Sequence, residues 1–262
     1  PSLVRKIFYT IGGGLCNSLN LSLIEVLKDR GCIDDITLFS LLGFATIHSL
    51  DLSSYEQPTL IHDLNIPMPE DNSPQYDVIY DGGTLEHIFN APQALKTIHG
   101  LLKQDGIIVH GSPSHNHVDH GFYMFSPTFF WDYYSANKYN ILTSYLFQYS
   151  SPDNCTWEVF EYQPGSLDDF SFGGFGKKMV GIWFIAQKTS KSSNNIFPQQ
   201  GACIEMWKTE GATLVNPKKI NSFRKWLKGF KTLRLFVRGA RTLRNKTPFI
   251  AKKPKLKKVK SI

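Results

Sequence analysis

From residue 7 to residue 113 the chain repeats one figure: a short apolar run, then an acid, a glycine or a serine. Ile7-Phe8-Tyr9-Thr10-Ile11 meets Gly12-Gly13-Gly14, 45–50 stops at Asp51, 59–62 stops at Asp63, 76–80 stops at Asp81-Gly82-Gly83, and 107–110 is closed by Ser112-Pro113. Runs of this length, rich in β-branched and aromatic side chains and bounded by turn formers, predict buried strands. Helical spacing lies between several of them, over 19–28 with a stop at Arg30-Gly31, from the cap Asp34-Asp35 through Leu42 to Gly43, and over 93–103 with Asp105-Gly106 as the exit turn. Strands and helices in alternation predict a parallel sheet with helices on both faces. Its polar strand ends collect on the carboxyl edge, where sheets of this kind bind ligands.

Beyond residue 113 the character changes. His115, His117, Asp119 and His120 lead into Gly121-Phe122-Tyr123-Met124-Phe125-Ser126-Pro127, and a helix is predicted from Thr128. Eight of the thirteen residues from Phe122 to Tyr134 are aromatic, most of them expected in the core. Two further strands are predicted at 141–149 and 179–186, separated by a loop rich in Asp, Ser and Gly, and 190–200 reads as a linker. The resulting division is 1–190 for the α/β domain, 191–217 for a linker or extension, and 218–262 for a basic tail.

The net charge of +7 averages two unlike pieces. Residues 218–262 hold 17 of the 29 Lys and Arg and no acid, which leaves 12 basic against 22 acidic residues in 1–217. Any affinity for anions therefore belongs to the tail. Phe223, Trp226, Leu227, Phe230, Leu233 and Leu243 recur at helical spacing among its cations, which predicts a basic amphipathic helix, while 252–260 is expected to be disordered. Such a helix either packs on the body with its charged face in water or adsorbs to an anionic membrane. Nucleic acid ranks third, because no recognition module accompanies the charge. No apolar run approaches the ~20 residues of a membrane span, and no signal-peptide pattern opens the chain, though a start at Pro1 leaves room for a short leader. Cys16, Cys32, Cys155 and Cys203 stand singly, so a reducing, cytoplasmic setting is expected, with peripheral contact to the inner face of the membrane through 218–262.

Three features at the strand ends can carry chemistry. Gly12, Gly13 and Gly14 let a backbone approach a bound nucleoside, or simply make a tight turn, and no GxGxxG is present. Asp51, after the second predicted strand, can accept both hydroxyls of a ribose, and Asp63 can accept an exocyclic amine. Either acid can equally serve as a cap.

The stretches 42–44, Ser49-Leu50-Asp51-Leu52, Ile61-His62-Asp63-Leu64-Asn65, and above all Asp81-Gly82-Gly83-Thr84-Leu85-Glu86-His87, resemble class I S-adenosylmethionine-dependent methyltransferases. The likeness is to bacterial members with a DGGTLEH motif and a later HGFYxFSP segment, matched here by His120 to Tyr123 and Phe125 to Pro127, and it covers roughly residues 5–190. The resemblance implies a Rossmann-like, doubly wound, mostly parallel seven-stranded sheet with an antiparallel last strand. It implies S-adenosylmethionine as cofactor, held by Gly12, Gly13, Gly14, Asp51, Asp63 with Leu64, and the backbone at Asp81 and Gly82. Two departures stand out: Tyr9-Thr10-Ile11 replaces the acid before the glycines, and Gly12 lies more than the usual ~20 residues from Asp51.

Within that resemblance the acceptor is a small molecule or glycan, and O-methylation calls for a base. His87 and His120 are the catalytic candidates, ahead of His115 and His117, since imidazole is poised near neutral pH. His87 can alternatively be a helix-start residue bonded to backbone. The run His115, His117, Asp119, His120 offers metal-binding side chains without a fixed geometry, so no metal site is assigned. Tyr123 or Phe125 is available to face a sulfonium or stack on a sugar. The alternatives are a non-catalytic nucleotide-binding-fold scaffold that works through its basic tail, and a nicotinamide-dependent oxidoreductase, which the missing GxGxxG disfavours.

Overall fold

A computed structural model describes residues 6–10, 35–69, 75–150, 157–167, 170, 173–209 and 258–261. The glycine triplet at 12–14, the helix expected over 19–28 and most of the basic tail lie outside these residues. Two compact units divide the chain, 1–199 with 256–262, and 200–255. In the second, a helix runs from Gly201 to Thr209. Among the described residues, no helix is long and apolar enough to cross a membrane.

The first unit is built on one sheet. Its strands are β1 (Lys6–Thr10), β2 (Thr46–Asp51), β3 (Leu60–Ile61), β4 (Tyr76–Gly82), β5 (Leu102–His115), β6 (Asn140–Tyr149), β7 (Glu158–Glu161), β8 (Met179–Gln187) and β9 (Lys258–Ser261). They lie side by side in the order β3-β2-β1-β4-β5-β8-β6-β7-β9. Strands β1 to β5 are mutually parallel, and β8 inserts antiparallel between β5 and β6. Sequence order runs outward from β1 to β3 on one side and resumes at β4 on the other. The carboxyl ends of β1 and β4 therefore flank a topological switch point.

The sheet has nine strands among the described residues, not seven. One addition, β7, falls in the stretch expected to be loop. It is only four residues long, and it forms because β6 offers a free edge in register, Leu146 opposite Phe160 and Gln148 opposite Glu158. The other, β9, falls where disorder was expected and pairs antiparallel with β7. Lysine density conceals the alternation of Lys258-Val259-Lys260, which suits an edge strand.

Alternation along β4 serves both faces. Ile79 enters the main core, while its neighbours Val78 and Tyr80 pack with Phe39 on the opposite side; Tyr76, beyond a register irregularity in the β4–β5 pairing, also joins the main core. Helix α1 (Asp35–Leu41) carries Phe39 to that opposite side. The main core is covered by α2 (Ala91–Leu101), through Ala94, Leu95, Ile98 and Leu101, and by α3 (Pro127–Ala136), through Phe130, Tyr133 and Tyr134. Helices thus cover both faces, as the alternating pattern predicts. Two side chains close the helix ends. Lys188, just past β8, donates its Nζ to the carbonyls of His99 and Leu102 at 2.7 Å each. Asn137, at the end of α3, donates to the carbonyl of Ile196 and accepts from Ser193 Oγ and the Ile196 amide, so the segment read as a linker is tied to the body.

Candidate functional site

The parallel strands deliver their carboxyl ends to one edge of the sheet. Asp51 closes β2, Asp63 follows β3 by two residues, Asp81-Gly82 closes β4, and His115 closes β5. Asp51 and Asp63 are built alike. Asp51 Oδ1 accepts from the amide and hydroxyl of Ser53 at 2.8 and 3.3 Å, and Asp63 Oδ1 accepts from the amide and side-chain nitrogen of Asn65 at 2.8 Å each. Each is an Asx turn, the local use of an acid after a strand. The donors at Asn65 hold the Asp63 carboxyl below its ordinary value. Leu64 turns its side chain into the core and has only backbone to present at the edge.

Beyond β4 the construction changes. Asp81, 2% exposed, accepts at Oδ1 from the amides of Thr84 and Leu85, at 3.1 and 3.2 Å, and so caps the 3-10 turn Leu85–His87. Its Oδ2 takes the Nδ1–H of His110 on β5 at 2.6 Å, and His110 Nε2 meets the hydroxyl of Tyr134 on α3 at 2.7 Å. Burial pushes the Tyr134 phenol well up, so it keeps its proton. Both oxygens of Asp81 are thereby engaged inside the protein, and what β4 leaves at the edge is backbone. Both glycines of that backbone are demanded by geometry. Gly83 has φ of +96°, and a Cβ on Gly82 would lie 2.5 Å from the Tyr80 ring.

The two motifs singled out in the sequence form one structure. The carbonyl of Glu86 accepts from the amides of Phe122 and Tyr123, at 2.8 and 3.2 Å, which lays the segment 120–123 on the turn 85–87. Tyr123 adds its hydroxyl to the carbonyl of Phe89 at 2.6 Å. The approach is close enough that a Cβ on Gly121 would sit 2.9 Å from the Glu86 oxygen. Ser126 then caps α3 by accepting from the Thr128 amide.

This contact brings His87 and His120 together with ring centroids 5.0 Å apart, and His117 lies 5.9 Å from His120. Asp119 does not join them, and His115 packs on Phe175 instead. The residue that sequence reading missed is Glu86. It is 1% exposed, its Oε1 is 3.6 Å from His120 Nε2, and its Oε2 has no hydrogen-bond partner among the described residues. Burial pushes its carboxyl up to about 8. His87 and His117 also bury an Nε2 without a partner, and burial, with the charge of His120, lowers both imidazoles. The available signal for Glu86 was its place, an acid between the apolar Leu85 and His87 in a turn that follows a buried strand.

No protein-family model and no curated protein matches the sequence. Among solved structures the chain is similar to TehB from Haemophilus influenzae, at 13% identity over 58% of this chain and 53% of that one, with a TM-score of 0.39. It is also similar to the O-methyltransferase from a trans-AT PKS multienzyme of Brevibacillus brevis, in complex with S-adenosyl-L-homocysteine, at 11% identity, 72% and 69% coverage, and a TM-score of 0.42. A third is the 1,6-didemethyltoxoflavin-N1-methyltransferase of Burkholderia thailandensis, at 14% identity, 70% and 71% coverage, and a TM-score of 0.39. The chain spans about half the length of the Haemophilus influenzae protein.

Proposed function

We propose that the chain is an S-adenosylmethionine-dependent methyltransferase that O-methylates a small-molecule or glycan-type acceptor. One observation carries the reading. Asp51 and Asp63, past β2 and β3, share an edge of the sheet with His87 and His120, past β4 and β5, and the switch point between β1 and β4 lies between the two groups. The donor chemistry fits the cofactor. Each acid commits Oδ1 to its own loop and leaves Oδ2 without a hydrogen bond among the described residues, so one carboxylate oxygen remains for a ribose hydroxyl at Asp51 and for an amine at Asp63. Leu64, Asp81 and Gly82 would contribute backbone. Gly12, Gly13 and Gly14 complete the proposed set from outside the described residues.

When bound, the cofactor supplies an electrophilic methyl group on a sulfonium. The work left to the chain is orientation and proton handling. His87 and His120 stand on the acceptor side, where an imidazole can take a hydroxyl proton. Exposed Phe89 and Phe122, edge to face at 5.5 Å, offer the acceptor an apolar contact beside them. Titration with S-adenosylhomocysteine, followed by calorimetry, should give a one-site isotherm that Asp51→Ala abolishes. A wild-type protein that gives no binding heat overturns the reading.

The tail belongs to the same proposal as a contact with the anionic inner face of a membrane, in the cytoplasm. Because β9 lies within 218–262, charge replacement tests this better than deletion. Replacing Arg234, Arg238, Arg241 and Arg244 with Gln should release the protein from phosphatidylserine vesicles while leaving cofactor affinity intact. Undiminished vesicle binding would count against the contact.

A further inference from the structure

We propose that Glu86, His87 and His120 form a binding site for one divalent transition ion of the zinc class. A carboxylate oxygen of Glu86 and one ring nitrogen from each histidine lie within 4.8 Å of one another. The Glu86 to His120 separation, 3.6 Å, is already near the ~3.3 Å that metal–ligand bonds of ~2.0–2.1 Å impose in a tetrahedral site. Two imidazoles and one carboxylate are a zinc-type donor set, whereas magnesium and calcium prefer oxygen throughout.

An independent observation points to a ligand here. Glu86 is 1% exposed, and its Oε2 lacks any hydrogen-bond partner among the described residues. Buried polar atoms are ordinarily paired, so one without a partner needs an explanation. His48, His99 and His110 each meet a tyrosine hydroxyl, and His62 meets the carbonyl of Ile66, whereas His87, next to Glu86, and His117, beside His120, each keep a buried Nε2 unpartnered. The close packing at Gly121 holds His120 over Glu86 and His87.

Three protein ligands leave a coordination position open, and His120, with its side chain 46% exposed, brings the group to the border with solvent. The role of the ion rests on the methyl-transfer reading; its binding does not. On that reading the open position takes the acceptor's hydroxyl oxygen and eases loss of its proton to solvent. The imidazoles then act through the ion, and the acceptor class narrows to alcohols or phenols.

The test uses the full chain, stripped with chelator, its thiols alkylated, and titrated with zinc chloride. Cobalt chloride provides a visible spectrum. One equivalent of zinc should bind at micromolar concentration or tighter, and His120→Ala should weaken it at least tenfold and remove the cobalt bands. Glu86→Gln should do the same; His120, on the surface, keeps the test informative if Glu86→Gln fails to fold. Absence of micromolar binding by the wild type, or a loss below tenfold in His120→Ala, overturns the site. Parallel titrations with S-adenosylhomocysteine separate the two readings. Cofactor binding without zinc binding removes only the ion, and zinc binding without cofactor binding removes only the methyl-transfer reading.

Discussion

At the ends of β2 and β3, each acid of the candidate site is held by a neighbour two residues along the chain, whereas Asp81, near the end of β4, adds to its local cap of Thr84 and Leu85 a partner far away in sequence. Asp51 bonds Ser53 and Asp63 bonds Asn65; Asp81 bonds His110, 29 residues on, and His110 bonds Tyr134, another 24 residues on. The first arrangement forms as soon as the strand ends. The second exists only when β4, β5 and α3 are assembled. Replacing a residue of the local half should therefore cost binding and little stability, while replacing one of the distant half should cost folding first.

The largest expected effect is at the centre of the distant half. His110→Ala leaves the Asp81 carboxylate buried with one partner gone and should cost about 3 kcal/mol or more, read from the urea midpoint. A loss below about 1 kcal/mol would mean that this tie does not hold β4 to β5. Next comes Gly121→Ala, whose new Cβ must push the 120–123 segment off the Glu86 carbonyl. A destabilisation of about 1–2 kcal/mol is expected, and the His87 and His120 side-chain resonances should shift together. Independent shifts would separate the two motifs that the structure joins.

A smaller effect depends on pH and lies in the distant packing outside the site. Burial, with the Lys188 charge, holds His99 down to about 4, while an unfolded histidine titrates near 6.5. Between those values the unfolded chain binds more protons, so stability should be full above about pH 6.5 and fall as the pH drops toward 4. Allowing for partial exposure, this loss is on the order of 1–2 kcal/mol. His99→Gln should flatten the profile over that window, and an unchanged slope would assign the acid sensitivity elsewhere. The smallest stability change is expected in the local half. Asp51→Asn should shift the urea midpoint by about 0.5 kcal/mol or less while weakening S-adenosylhomocysteine at least tenfold. A large stability loss there would erase the contrast between the two halves.

The same contrast explains what could be read in advance. Asp51, Asp63 and the glycines at 82 and 83 announce themselves because strand ends and turns are chosen by residues within two or three positions. Helix α2 and strands β4 and β8 were legible for the same reason. Strand β7 was not, because four residues with a glutamate at each end carry little pattern of their own and pair only because β6 presents an edge. Glu86 was hidden by its company. In sequence it is one charged residue of a motif, and only the fold buries it against two histidines from different loops.

Sequence alone determined the order of the seven strands it marked, the helices over 35–41, 91–101 and 127–136, and the acids at 51, 63 and 81 with the glycines at 82 and 83, since periodicity and turn chemistry act over a few bonds. Tertiary structure decided the meeting of Glu86, His87 and His120, the Asp81 to His110 to Tyr134 chain, and the two added edge strands. Those contacts close long stretches of chain. Whether such closures form depends on the packing of the whole core, which no short window of residues contains.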